Sequence, residues 1–342
     1  MTMRSTFSTL LALSLLAAPV GAQTHTPQDR GRAVVREAAA PRPAGYQRGA
    51  HEQTDRVTHT LKIGANGELD LFNLAGPTTV TRGSGNEAII EIVKTARGAS
   101  PEDAREMLRF VTVSVLGRGS RAEIKTQYPA QRRLHVTVAY TVSAPANTRL
   151  TVRSLSGSIK VTDIHGDLSL ETTSGNVDVS GASRIAGAKS VSGNVTITGM
   201  TSDAGMEASS ISGNVTLRDV QARRLSLSSV SGNVVMENVA CERAEAQSMS
   251  GNVFYTGTLA QSGRYDMKSH SGDVRLRVDG RVGFELDAST FSGSIKSDLP
   301  LTTRGGQTMN GPGRRAFRGA YGDGSALINI VSFSGSVLIG TR

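Results

Sequence analysis

A short phrase built around one glycine recurs along most of the chain, as in SSISGNVTLRDV at residues 209–220 and SSVSGNVVMENV at residues 228–239. Successive copies of this glycine are 18 to 21 residues apart, until a last interval of 42 residues. A period near 20 residues between strand-like segments is typical of proteins that stack short repeats into a solenoid. The sequence therefore predicts an all-β fold, a parallel β-solenoid with coils of about 19–21 residues.

Apolar residues alternate with polar ones inside each coil, and the alternation changes phase once. In the coil around Gly232, the pattern predicts a corner at Ser228 and Ser229 and inward positions at Val230 and Val234. Alternation with a period of two and one change of phase indicates two strands joined by a corner. The residues predicted to point inward at the equivalent of Val230 include Leu155, Ile211 and Phe333.

The repeated glycine is itself informative, because a glycine inside a strand costs roughly 0.5–1 kcal/mol relative to alanine. Its repetition indicates either a positive φ or a neighbouring backbone that leaves no room for a Cβ atom. Asn follows the glycine in most coils, and stacked Asn side chains form hydrogen-bonded ladders. We interpret the following residues as the structural corner of the coil: Gly157, Gly175, Asn176, Gly193, Asn194, Gly213, Asn214, Gly232, Asn233, Gly251, Asn252, Gly272, Gly293 and Gly335.

The first residues have the pattern of an export signal. Arg4 precedes an apolar run from about Leu10 to Val20, and small residues follow up to Ala22. This order predicts a secretory signal peptide over residues 1–22. We therefore expect an exported protein, periplasmic, cell-surface or secreted, with no transmembrane segment after signal cleavage.

The remaining chain divides by composition and pattern. Residues 23–56 are polar and rich in Ala, Arg and Pro, which predicts a disordered linker. Residues 57–149 predict an N-terminal β region that caps the solenoid and contains one short helix after Ser100. Residues 150–342 predict the solenoid repeats, interrupted by a loop excursion at 302–325 that causes the long last interval.

Composition argues against several kinds of chemistry. A single cysteine, Cys241, excludes intramolecular disulfides. The six histidines form no pair at metal-ligand spacing, and the sequence has no phosphate loop or nucleophile elbow. We therefore predict no enzyme activity and no cofactor. The net charge of +9, without a basic cluster interleaved with aromatic residues, favours anionic polysaccharide or envelope components over nucleic acid as partners.

One column of acidic residues is a candidate cation site. Glu245, Asp266 and Asp287 occupy equivalent outward positions in three coils that follow one another in the chain. Three carboxylates stacked in register would suit Ca²⁺, which prefers oxygen ligands. The alternative is a solvated charged face, since exposed charges interact weakly.

The excursion at 302–325 is the other candidate site, because loops on a rigid scaffold often carry binding. It is rich in glycine and arginine, and its arginines with two aromatic rings suit a carboxylated sugar or an acidic partner. The alternative is a cover over the C-terminal coils. The candidate ligand-binding residues are Arg304, Arg314, Arg315, Phe317, Arg318 and Tyr321.

Three stretches carry a family resemblance: LFNLAGPTTV at 71–80, VTVAYTVSAPANTRLTVRSLSGSIKV at 136–161, and the serial SGNV phrases. Over residues 57–342 the chain resembles the bacterial putative-adhesin family of β-strand-repeat proteins. The resemblance implies a non-enzymatic surface or periplasmic protein that binds or acts as a scaffold, and it supplies no catalytic residues. The alternative is a carbohydrate-active β-helix enzyme, a polysaccharide lyase or hydrolase, which would need acidic and basic side chains converging in a groove.

Overall fold

The protein is described by a computed structural model that covers residues 51–129, 134–303 and 315–342. Within these residues it has 23 strands and one α-helix, so the all-β prediction is confirmed. The predicted signal peptide and residues 23–50 of the predicted linker lie outside the described residues. The linker prediction is wrong at its end, because strand β1 begins at His51.

The N-terminal elements form one rung of the stack and the layers beside it. Ser100 caps α1, accepting a hydrogen bond from the Asp103 amide, while the Asp103 carboxylate accepts one from the amide of Ala99 at 2.9 Å. The elements are β1 His51–Lys62, β2 Glu68–Ala75, β3 Thr78–Arg82, β4 Glu87–Gly98, α1 Pro101–Phe110, β5 Thr112–Arg118, β6 Arg121–Gln127 and β7 Val136–Ala144.

The repeat region continues with strands that begin or end at the glycine phrase. They are β8 Arg149–Ser156, β9 Ile159–Thr162, β10 Asp167–Ser174, β11 Val177–Ser180, β12 Arg184–Ser192, β13 Val195–Thr201, β14 Gly205–Ser212, β15 Val215–Ser231, β16 Val234–Ser250 and β17 Val253–Ser271. The last are β18 Val274–Val278, β19 Phe284–Ser292, β20 Ile295–Ser297, β21 Ala316–Tyr321, β22 Ala326–Ser334 and β23 Val337–Thr341.

Each corner glycine joins two strand segments, and we call this unit a rung. Successive rungs lie in parallel register, so that Val215 pairs with Val234 and Val234 pairs with Val253. These three side chains are 0% exposed and stack in one column of the core. Equivalent side chains therefore repeat at the spacing of neighbouring strands, about 4.8 Å, and the observed arrangement is solenoid-like.

The corner lies later in the phrase than the sequence predicted. Ser229 faces inward, where its hydroxyl donates to the carbonyl oxygen of Gly213 at 2.8 Å. Val230 is consequently 46% exposed, and the predicted inward positions of Leu155, Ile211 and Phe333 are wrong for the same reason. The buried hydroxyls that donate to a glycine carbonyl of a neighbouring rung are Thr172, Ser190, Ser210, Ser229, Ser248, Ser269, Thr290 and Ser332.

The corner glycines pack backbone against backbone. A Cβ atom added to Gly232 would lie 2.5 Å from the carbonyl carbon of Gly213, so there is no space for a side chain. Beside this column, each Asn side-chain oxygen accepts from the backbone amide of the next rung, as in the 2.8 Å bond from Asn233 to Asn214. The ladder thus joins side chain to backbone, whereas the sequence predicted bonds between amide side chains.

The rungs at the C-terminal end are not stacked in chain order. β17 pairs in parallel with β22, and β22 pairs in parallel with β19. The rung of Gly335 therefore lies between the rungs of Gly272 and Gly293. β21 then pairs antiparallel with the other side of β19. The chain therefore skips the position next to the Gly272 rung when it forms the Gly293 rung. It turns back at β21, and the Gly335 rung then occupies the skipped position.

The first rung, formed by β2 and β3, has its neighbours on both sides as well. On one side β2 and β3 pair in parallel with β8 and β9. On the other side they pair with β6 and β7. β1 pairs antiparallel with β4, and β4 with β7. The strands before residue 149 therefore cover the side of the first rung that faces away from β8 and β9.

Candidate functional site

The predicted column of three carboxylates does not form. Glu245 pairs in register with Asp266, but Asn329 of the inserted rung separates Asp266 from Asp287. The Asn329 amide donates to the Asp266 carboxylate at 3.1 Å, and Arg318 forms an ion pair with Asp287 at 2.6 Å. Among the described residues, no group of three or more His, Cys, Asp or Glu side chains is arranged to hold a metal ion. The prediction of a Ca²⁺ column was wrong because it assumed stacking in chain order.

A groove occupies the outer face of the same rungs. It has a volume of about 960 Å³ and is lined by the outward side of β17, β22 and β19 together with parts of β21 and the segment before it. Its polar lining includes Arg264, Asp266, Asn329, Asp287 and Arg318. The groove therefore presents guanidinium, amide and carboxylate groups within one concave surface.

A row of three arginines leads along the stack to this groove. Arg224 pairs in register with Arg243, and Arg243 with Arg264. All three are exposed, and none forms an ion pair or side-chain hydrogen bond with the described part of the chain. We call these three residues the arginine row. Like charges directly opposite each other on neighbouring strands are unfavourable, so a row of three cations has no structural advantage by itself.

Sequence reasoning missed the arginine row, although a signal for it was present. Each of the three arginines stands eight residues before its corner glycine, at Gly232, Gly251 and Gly272. Aligning the coils on the glycine and reading the outward positions down each column would have found it.

The candidate binding residues of the excursion have mixed outcomes. Arg304 and Arg314 lie outside the described residues. Phe317 is only 3% exposed within the core, so it offers no ring face to a ligand. Tyr321 is half-buried, with its ring 5.5 Å from that of Phe284. The prediction of a ring that stacks on a sugar is therefore wrong for Phe317, and for Tyr321 it stays a prediction.

The excursion also supplies two cationic side chains and a strand that pairs with the edge of β19. Arg315 and Arg318 are exposed. The hydrogen bond and charge of Asp287 raise the pKa of Arg318 above its usual value. β21 lies along the free edge of β19, and Thr302 bridges to Ala320 on its other side. This placement agrees with the predicted alternative of a cover over the last rung.

A second outward row is mostly apolar. It comprises the residue two positions before each corner glycine, and the row ends in three stacked rings. His270 lies 4.9 Å from Phe333, and Phe333 lies 4.8 Å from Phe291, between ring centroids. The exposed apolar members are Leu155, Val191, Ile211, Val230, Met249, Phe333 and Phe291. In-register contacts of this kind stabilise a sheet by side-chain packing, which explains apolar residues on the surface of a corner.

Cys241 is buried and shows no sign of a reactive role. Burial raises the pKa of its thiol to about 12, so the thiol stays protonated at neutral pH.

The described ranges contain one helix, α1, which has ten residues. No helix in these ranges is long and apolar enough to span a membrane.

Comparisons with known proteins identify a family. The family model described as Toastrack DUF4097 matches residues 141–337, more than half of the chain. A putative adhesin from Bacteroides fragilis is 15% identical, with a TM-score of 0.43, over 84% of this chain and 97% of that one. A putative adhesin from Parabacteroides merdae is 13% identical, with a TM-score of 0.37, over 65% and 89%. No curated protein matches the chain, and TM-scores below 0.5 leave the two structural likenesses without functional weight.

Proposed function

The chain belongs to the Toastrack DUF4097 family, and we propose that it is an exported, non-enzymatic binding scaffold of the cell envelope with an adhesin-like role. Its body is a parallel β-solenoid of about 19–21-residue coils, capped by the strands before residue 149. Its partners are anionic polysaccharide or other envelope components. The observation that carries the proposal is the arginine row, which forms no ion pair with the described residues.

A stack of this kind suits a binding scaffold for a physical reason. The rungs are joined by backbone hydrogen bonds and by a continuous apolar core, so each outward side chain has a fixed place relative to the next. Repeated contacts along an extended partner then add up without a separate ordering cost for each contact. Functional sites on strands are also held more firmly than sites on loops.

A carbohydrate-active enzyme is the second candidate, and the groove is the observation that favours it. Asp266 and Asp287 lie in that groove with Arg264 and Arg318. However, Asp266 accepts a hydrogen bond from Asn329, and Asp287 is paired with Arg318. Both carboxylates are thus held by side chains of the protein itself, whereas glycoside hydrolysis needs two carboxyl groups that flank the scissile bond and are free to act on it. The contacts therefore support binding over hydrolysis.

Export is the part of the proposal that a cell experiment tests first. With a C-terminal tag on the full chain, we expect the protein outside the cytoplasm, with its N-terminus at Gln23 after cleavage beyond Ala22. Cell fractionation, N-terminal sequencing and protease shaving of intact cells measure this. A matched variant lacking residues 2–22 should remain in the cytoplasm. A protein that remains in the cytosol with residues 1–22 uncleaved would contradict the proposed function.

A further inference from the structure

We propose that the arginine row and the adjoining groove form one binding site for a polysaccharide that carries carboxylates, bound across the strands along the stack. This names the ligand class of the binding role and rests on the proposed function. The row lies on β15, β16 and β17, and its last member, Arg264, also lines the groove. A polymer that follows the arginines therefore meets the groove at its end.

The arginine row matches a repeated anion in geometry. The three guanidinium groups extend from in-register positions on neighbouring strands, which are about 4.8 Å apart. Guanidinium binds carboxylate through two parallel hydrogen bonds, which fixes orientation as well as charge. A chain of acidic sugars offers one carboxylate per monomer at regular intervals, and it would relieve the repulsion between the three stacked cations.

The groove supplies what a sugar needs beyond its carboxylate. Asp266 and Asp287 offer acceptors for hydroxyl groups, and Asn329 between them offers both a donor and an acceptor. Arg318 on the far side adds a second guanidinium beyond Asp287. A volume of about 960 Å³ is ample for more than one sugar ring.

The same lining argues against nucleic acid as the polymer. The one aromatic residue that lines the groove in the described chain, Tyr265, is 0% exposed. No ring is therefore available there for the base stacking that single-stranded nucleic acid uses.

Polygalacturonate is the probe for the test, and its fully methyl-esterified form is the matched ligand with the same backbone and no charge. We expect the mature protein to bind polygalacturonate, more weakly as salt rises, and to bind the ester at least about tenfold more weakly. Binding is measured by titration calorimetry or by retention on immobilised polymer. The polymer should be recovered uncut.

The arginine row is tested by a triple variant, Arg224→Gln, Arg243→Gln and Arg264→Gln, which should weaken polygalacturonate binding by about tenfold or more. The matched control removes three exposed arginines elsewhere that have no ion pair in the described residues, as Arg82→Gln, Arg118→Gln and Arg277→Gln. The control should bind almost as well as the wild type. Both triples should keep the wild-type melting temperature to within a few degrees, because the side chains are exposed.

The groove is tested by Asn329→Ala, which should weaken binding severalfold without changing the salt dependence, since no charge is lost. Equal losses in the two arginine triples, or equal binding of acid and ester, would overturn the proposal. Single-stranded DNA that binds as tightly as polygalacturonate would also overturn it. If the protein is exported but gives any of these contrary binding results, only the proposed site is contradicted. If the protein stays in the cytosol, the proposed function itself is contradicted.

Discussion

Replacing Val234 by aspartate is expected to prevent the stack from folding. Val234 is 0% exposed and lies between Val215 and Val253 in the central column of the core. An unpaired carboxylate there would have to be buried charged or take up a proton, and either costs several kcal/mol. Typical domains are stable by only about 5–15 kcal/mol. Neighbouring rungs share the column, so the loss is not confined to one rung.

The measurement is circular dichroism and thermal melting of purified Val234→Asp, with soluble yield as a second readout. Val230→Asp is the matched control, because it makes the same change four residues away at a side chain that is 46% exposed. The control should keep its β signal, with a loss of unfolding free energy of about 1 kcal/mol or less from its packing in the apolar row. An unchanged spectrum and melting point in Val234→Asp would contradict the stacked core.

Substituting one corner glycine by alanine should also destabilise the protein strongly. In Gly232→Ala, the new Cβ would lie 2.5 Å from the carbonyl carbon of Gly213. The neighbouring rung cannot retreat without stretching its hydrogen bonds, including the one from Ser229 to the Gly213 carbonyl. Overpacking in a tight interior typically costs about 1–3 kcal/mol, and each kcal/mol lowers the melting temperature by roughly 1–2 °C in a chain of this size.

Gly187→Ala is the matched control for that substitution. A Cβ at Gly187 would have Lys189 Cε at 3.6 Å as its nearest neighbour, and its backbone is not in the left-handed region. The control should be neutral or stabilising by about 0.4–1 kcal/mol, because alanine restricts the unfolded chain. Equal melting temperatures for the two variants would show that the corner tolerates a side chain and would remove the physical reason for the repeat.

The repeat itself was predictable from the sequence because its cause is local. Spacing and alternation identify short strands, and the corner glycine is recognisable because it occurs where a strand would favour a β-branched residue. The helix was predictable too, since Ser100 and Asp103 show the residue types that cap a first turn. These features depend on residues close together in the chain.

Which side chains face inward at the corner could not be read from hydrophobicity. Ser229 is buried because the Gly213 carbonyl of another rung accepts its hydroxyl, and Val230 is exposed in consequence. A valine beside a pair of serines does not indicate that the serine is buried and the valine exposed. The decisive bond joins residues 16 positions apart in different rungs.

The order of the rungs was not predictable for a different reason. Every rung carries nearly the same pattern, so any rung fits against any other, and chain order is only the simplest arrangement. Insertion of the Gly335 rung separated Asp266 from Asp287 and brought Asn329 between them. The binding role of the excursion was likewise misread at Phe317, whose ring fills the core.

The groove, and the end point of the arginine row, exist only if the Gly335 rung lies where the structure places it. Cysteine pairs at exposed corner serines test this directly. Ser334 is in register with both Ser271 and Ser292. Ser271 and Ser292 are therefore two strand spacings apart, about 9.6 Å, which is beyond the reach of a disulfide, about 7 Å between Cα atoms. Cys241 does not compete, because burial keeps its thiol protonated, with a pKa of about 12.

The measurement is mild oxidation of the folded double variants, followed by mass spectrometry of linked peptides. The account predicts rapid disulfide formation in Ser271→Cys with Ser334→Cys and in Ser292→Cys with Ser334→Cys, and none in Ser271→Cys with Ser292→Cys. A disulfide in the Ser271→Cys and Ser292→Cys pair, without one between positions 271 and 334, would show that the rungs follow chain order. That result would contradict the groove and the site built on it.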